Sequence, residues 1–252
     1  MLKVIVSGFL GQMGQVISKL ILDRDDMELV GGIDRNAPSY KGDIDVYESI
    51  LDLDKKCDVI IDFSHPSSLD NLLDYAISNN TPLVIGTTGY GEEEIKKLKK
   101  SAEKIPIFYS ANMSLGINLM LSLVSKAASI LREDFDIEII EKHHNKKIDA
   151  PSGTAYMIAN EINKVYDNNK LYTFGRHGKN NKRSSNEIGI HAIRGGTIVG
   201  EHTVLFAGLD EVIEIKHSAS SKNVFAKGAL TATKFIVDKE KGLYSMDHII
   251  NA

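Results

Sequence analysis

"VIVSGFLGQMG", residues 4 to 14, runs from β-branched residues into a turn carrying Gly8, Gly11 and Gly14, and then into a helical pattern. The apolar run is a first strand. Glycines after it let the backbone come close to whatever sits at the strand end, where the first helical amides favour negative charge. The spacing is G-x-x-G-x-x-G rather than G-x-G-x-x-G, so the turn alone leaves two readings open: a pyrophosphate cradle, or tight strand-to-helix packing. Asp34 adds to the first. It ends a second predicted strand in "GGIDRN", 20 positions after Gly14, where a carboxylate can accept hydrogen bonds from an adenosine ribose. Arg35 beside it can pair with a 2′-phosphate that Asp34 would repel. Together they point to tolerance of both NADH and NADPH, with a solvated Asp-Arg turn as the alternative.

Outward from this turn, strands and helices alternate through the first half. "CDVIIDFS", "TPLVIGTTG" and "IPIFYSAN" are further strands, and "HPSSLDNLLDYAISNN", "GEEEIKKLKKSAEK" and "SLGINLMLSLVSKAASIL" are helices. Near-continuous Val and Ile runs separated by helices predict a parallel sheet covered on both faces, an α/β Rossmann-like doubly wound domain. Gly86, Thr87 and Thr88, and Ala111, Asn112, Met113 and Ser114, lie at the C-terminal ends of such strands, the edge where ligands gather. Small residues in ordinary turns explain either segment equally well.

The second half changes character. "FDIEIIEKHHN" is a strand, "PSGTAYMIANEINKVY" a helix with Ser152 as its N-cap, and "EIGIHAIRGG", "TIVGEHTVLFAG" and "DEVIEIKHSAS" are strands whose short glycine-rich links predict antiparallel pairing. A last helix, "NVFAKGALTATKFIVDK", returns to the style of the first half. The expected division is a dinucleotide-binding domain of 1–114 plus 221–252 and an inserted α+β domain of 115–220 for substrate and oligomerisation. "GRHGKNNKRSSN" is a dense basic patch, expected as a solvated loop with no aromatic platform for nucleic acid.

Composition narrows the class. Hydrophobic residues are 42% and charged residues 25%, with a net charge of −4, ordinary for a globular protein and no footprint for nucleic acid or an anionic membrane. No unbroken apolar run approaches the roughly 18 residues that span a bilayer. Cys57 is the one cysteine, so no internal disulfide forms, and a reducing cytoplasm is expected.

"EKHHNKKIDAPSGTA", residues 141 to 155, concentrates titratable groups just before a helix. A cation, an imidazole and a helix start suited to a carboxylate fit an acidic substrate that takes up a proton during reaction. A metal site is disfavoured, since H-E-x-x-H and a Cys cluster are absent and Glu201–His202 lacks a matching spacing.

This stretch closely resembles the signature of the dihydrodipicolinate reductase family. "SGFLGQMG", "GTTG", "SANMSLGIN", "IRGGTIVGEHTVLFAG" and "IKHSASSKNVFAKGAL" extend the resemblance over nearly the whole chain. It implies an NADH- and/or NADPH-dependent enzyme that reduces a cyclic dicarboxylate in the diaminopimelate route to lysine, without a metal, as a cytoplasmic homotetramer. Carried over, His143 is the proton donor/acceptor and Lys147 the proton donor. His144, Gly153 and Thr154 contact substrate carboxylates with Ser152 beside them. Gly8, Phe9, Leu10, Gly11, Gln12 and Met13 wrap the pyrophosphate, and Asp34 and Arg35 meet the adenosine ribose. Gly86–Thr88 and Ala111–Ser114 approach the nicotinamide. Phe9 and Leu10 stand where smaller residues are frequent in the family. The competing readings are another two-domain nicotinamide oxidoreductase, separated by its substrate, and a non-catalytic NAD sensor, which gives Lys147 no task.

Overall fold

The structure is a computed structural model in which residues 1–251 are described. The chain divides into two compact units, Met1–Leu115 with the segment from Lys222 onward, and Gly116–Ser221.

In the first unit, β1 (Leu2–Ser7), α1 (Gln12–Leu22), β2 (Met27–Ile33), β3 (Val46–Tyr47), β4 (Val59–Asp62), α2 (Leu69–Asn79), β5 (Leu83–Ile85), α3 (Glu92–Ala102) and β6 (Pro106–Tyr109) follow one another. After the second unit the chain returns for its last elements. With β12 (Gly242–Tyr244) from that return, the strands form one sheet in the order β12-β6-β5-β4-β1-β2-β3, all parallel, the doubly wound arrangement expected. Alternation along β1 explains the two cores. Val4 and Val6 pack with α1 on one face, while Ile5 joins Ile60, Leu83 and Ile85 beneath α2 and α3 on the other. Because every crossover returns over a face, the strand ends after Ser7, Asp62 and Ile85 fall side by side at one edge.

The second unit contains α4 (Leu115–Leu131), apart from its first residue, then β7 (Asp136–His143), α5 (Gly153–Lys164), β8 (Leu171–Phe174), β9 (Glu187–Arg194), β10 (Gly200–Ala207) and β11 (Val212–Ala219). The chain then enters α6 (Asn223–Ile236), β12 (Gly242–Tyr244) and α7 (Met246–Ile250) of the first unit. The sheet order is β11-β10-β7-β9-β8. Ile137, Ile139, Ile188, Ile190, Val204 and Phe206 form its inner face against α4 and α5.

One expectation changes and two are refined. β10 pairs antiparallel with β7 and β11, but β9 runs parallel to β7 and β8. β7 inserts between β9 and β10, so the glycine link at 195–199 crosses its end instead of forming a hairpin. Two arginines of the basic patch are committed to carboxylates: Arg183 to Asp136 and Glu138, and Arg176 to Glu187 and Glu138. The predicted helix α4 carries more apolar length than its unbroken runs suggest. With its 3-10 continuation, Leu115–Asp134 is long and apolar enough to cross a bilayer by length and composition alone. Core helices of globular proteins pass the same test, and Met120, Val124 and Ala128 bury one side of α4 in the unit's core.

Candidate active site

The first unit places the glycine turn at the C-terminal strand edge. Gly8 has φ +77°, and a Cβ there would lie 2.3 Å from the Phe63 carbonyl oxygen; a Cβ on Gly14 would lie 2.1 Å from that of Gly8. The turn therefore closes only with hydrogen at both positions. Gly11 caps α1 without a side-chain hydrogen bond, and the first turn carries no acid. Donors and dipole at this helix start are left for an anion. Asp34 ties the turn down, accepting from the Leu10 amide at 2.9 Å through Oδ2 and from the Asn36 amide at 2.9 Å through Oδ1. Each oxygen keeps a lone pair for a ribose hydroxyl.

Two cavities border this edge and share Phe63 and Ser64 as a wall. One, of about 420 Å³, is lined by Gly8, Leu10, Gly11, Asp34 and Arg35, with Glu48 and His65 added. The other, of about 450 Å³, is lined by Gln12, Met13, Gly86, Thr87, Thr88, Ala111 and Met113, with Lys222 and Phe225. The donor set, the uncapped helix and the closed turn fit a dinucleotide. Three expected residues lie outside these walls. Phe9 is buried beside Tyr40 and against Gly32. Asn112 and Ser114 are buried in a turn in which the Asn112 Oδ1 accepts from the Ser114 amide at 3.0 Å. A charged hollow of about 440 Å³ near Lys3, Glu28 and Lys55 lies at the opposite strand edge and holds none of the expected residues.

In the second unit the site grows from the alternation of β7. Glu141 and His143 share the inner face, and the parallel register sets Arg194 of β9 beside His143. Glu141 is fully buried. Its carboxylate accepts both Arg194 Nη atoms at 2.7 Å, the Ser152 amide at 3.0 Å, and a 2.6 Å hydrogen bond from His143 Nδ1. Burial opposes its charge, yet the Arg194 fork, the imidazole and the amide hold its carboxyl below the usual range. With Nδ1–H given to Glu141, His143 keeps Nε2 for proton exchange.

Ser152 is the N-cap expected from sequence, accepting from the Ala155 amide at 3.2 Å. Its hydroxyl also lies 3.0 Å from His202 Nε2, so it is committed within the protein. Burial, reinforced by the nearby His143, pushes the His202 pKa down to about 4 and keeps that ring neutral. Gly153 is exposed, with open space where a side chain would project. Lys147 pairs with Asp149 at 2.8 Å, and its amide donates to the His144 carbonyl at 3.1 Å. The Gly195 amide donates to the His143 carbonyl at 2.9 Å, and the Asn145 amide to the Gly196 carbonyl at 3.2 Å. The glycine link thus pins the loop that carries His144 and Lys147. The structure gathers His143, Ser152 and the start of α5 around Glu141 and holds His144 and Lys147 on the adjoining loop. Glu141, Arg194 and His202 are the members that sequence reasoning missed. The period-2 pattern of β7 signals Glu141; Arg194 depends on a register no local pattern reveals.

Comparison with known proteins bears on both clusters. Residues 2–113 match the family description "Dihydrodipicolinate reductase, N-terminus", and residues 116–250 match "Dihydrodipicolinate reductase, C-terminus". A 4-hydroxy-tetrahydrodipicolinate reductase of Caldanaerobacter subterraneus subsp. tengcongensis is 50% identical over 250 residues, covering 99% of this chain and 98% of its own. The enzyme of that name from Clostridium novyi is 47% identical over 253 residues, covering 100% and 99%. Among solved structures, a dipicolinate-bound dihydrodipicolinate reductase from Paenisporosarcina sp. TG-14 superposes with a TM-score of 0.80 at 28% identity, covering 97% of each chain. With both halves matched and relatives of one activity aligned end to end, the chain belongs to the dihydrodipicolinate reductase family of oxidoreductases.

Proposed function

We propose that the chain reduces 4-hydroxy-tetrahydrodipicolinate to tetrahydrodipicolinate, the 4-hydroxyl departing as water, with NADH or NADPH giving the hydride and His143 and Lys147 managing the proton. The observation that carries this reading is the Arg194–Glu141–His143 arrangement, which commits one imidazole nitrogen and leaves the other for exchange. When bound, the reduced nicotinamide supplies a hydride. Gly8, Gly11, Gln12 and Met13 hold the pyrophosphate with backbone amides, Asp34 and Arg35 hold the adenosine ribose, and Gly86–Thr88 with Ala111 and Met113 shape the nicotinamide end.

Gly153 and Thr154 at the start of α5, together with His144, bind the carboxylates of the substrate; the solved relative that carries dipicolinate supports a dicarboxylate ring here. Cationic Lys147 stabilises negative charge developing on the ring and delivers a proton, and His143 Nε2 donates or relays one. Glu141 keeps the imidazole oriented and balances its charge when it is protonated. The lone Cys57 suits a cytoplasmic enzyme. Apolar side chains left open on α4, among them Leu119, Leu123 and Ile130, support association of copies, with the homotetramer that the family resemblance implies as the assembly.

The test is to supply the condensation product of pyruvate and aspartate semialdehyde and follow NADH and NADPH absorbance. Consumption of at least one cofactor, dependent on that product, is the expected result. Tight NADH binding with no consumption would leave the sensor reading in its place.

A further inference from the structure

Asp62 ends β4 and is fully buried, yet among the described residues it pairs with no cation. Its carboxylate is an acceptor for hydroxyls from three neighbouring strand ends. Ser64 Oγ donates to Oδ1 at 2.6 Å, Thr87 Oγ1 donates to Oδ2 at 2.5 Å, and the Ser7 hydroxyl donates as well. Thr87 Oγ1 also accepts from the Ser64 amide at 2.8 Å, so its own proton is committed to Asp62. The Asp62 carbonyl in turn accepts from the Gly86 amide at 2.8 Å. Main chain and side chain of one residue therefore fasten the turn after β5 to the turn after β4. Ser64, Gly86 and Thr87 are walls of the 450 Å³ cavity.

A fully buried carboxylate without a counter-cation is costly, and a neutral residue of the same shape would serve packing alone at lower cost. Burial pushes the Asp62 carboxyl up from its ordinary range even against these donors. Such a cost is borne where a turn must be held in one geometry. We infer that Asp62 is a positioning residue for the nicotinamide end of the cofactor, acting through Thr87 and Ser64. The inference rests on the proposed assignment of Gly86–Thr88 to the nicotinamide end. It concerns the nicotinamide half only, because the adenosine half has its own anchor in Asp34.

The experiment compares NADH with ADP-ribose, which keeps the adenosine and pyrophosphate but lacks the nicotinamide. Their dissociation constants are measured by fluorescence titration and competition for the wild type, Asp62→Asn and Thr87→Val, with the thermal midpoint of each apo protein. NADH is expected to bind at least about tenfold more weakly to both variants, while ADP-ribose changes by less than about twofold, as for a lost positioned hydrogen bond. Thr87→Val removes one rim hydroxyl and reports even where Asp62→Asn fails to fold. Equal weakening of the two ligands, or a lowered midpoint with unchanged binding, would reduce Asp62 to a structural role. A wild type that binds ADP-ribose as tightly as NADH would remove the nicotinamide assignment of Gly86–Thr88 itself, and the inference with it.

Discussion

His202 shows how burial converts one side chain into a pH sensor of stability. The residue is 4% exposed, its ring packs edge-on to His143, and it feels the charges of His143, Glu141, His217 and Lys147. An unfolded histidine titrates near 6.5, but here burial moves the folded value down to about 4. Between those values the unfolded chain takes a proton that the folded chain refuses. Its contribution is intact above about pH 6.5 and is lost as pH falls toward 4, amounting to up to ~3 kcal/mol. Denaturant titrations at pH 7 and pH 4.5 are expected to show a smaller acid loss in His202→Gln than in the wild type. At this scale the sequence was partly legible. His143, Lys147 and Ser152 stand in one contiguous signature whose strand alternation also signals Glu141, whereas Arg194 and Asp62 act through register and burial, which a linear pattern does not carry. Phe9 marks the same limit: its place in a glycine turn says nothing about a ring that packs under Tyr40.

Among the elements, the glycine turn and α1 form the most demanding joint. Gly14→Ala would set a methyl 2.1 Å from a backbone oxygen that has no room to move. The helix start must shift, at a stability cost of about 1–3 kcal/mol. NADH affinity is expected to fall with it in a fluorescence titration; unchanged affinity would remove this turn from the pyrophosphate. The repeated Val and Ile strands made the parallel sheet of the first unit readable before any coordinates, because each buries both faces. The second sheet was less so. The glycine link between β9 and β10 has the length and composition of a hairpin, and only the insertion of β7 separates its two strands. β8, four residues next to a basic loop, and β3, two residues long, offer too short a pattern to detect.

For the whole molecule, the proposed function divides the labour between the two units: the first holds the dinucleotide and the second handles the proton, and each contains a fully buried carboxylate, Asp62 and Glu141. That division follows from topology: parallel strand ends gather small residues and amides, whereas the mixed sheet brings Glu141, His143 and Arg194 together at the ends of β7 and β9. The measurement that bears most directly on the proposed mechanism is kcat for His143→Ala and Lys147→Ala, with NADH binding followed in the same samples. In each variant kcat is expected to fall by about 10²- to 10⁴-fold, as for loss of a positioned acid, with NADH affinity at its wild-type value. Near-wild-type kcat in both variants would contradict the mechanism.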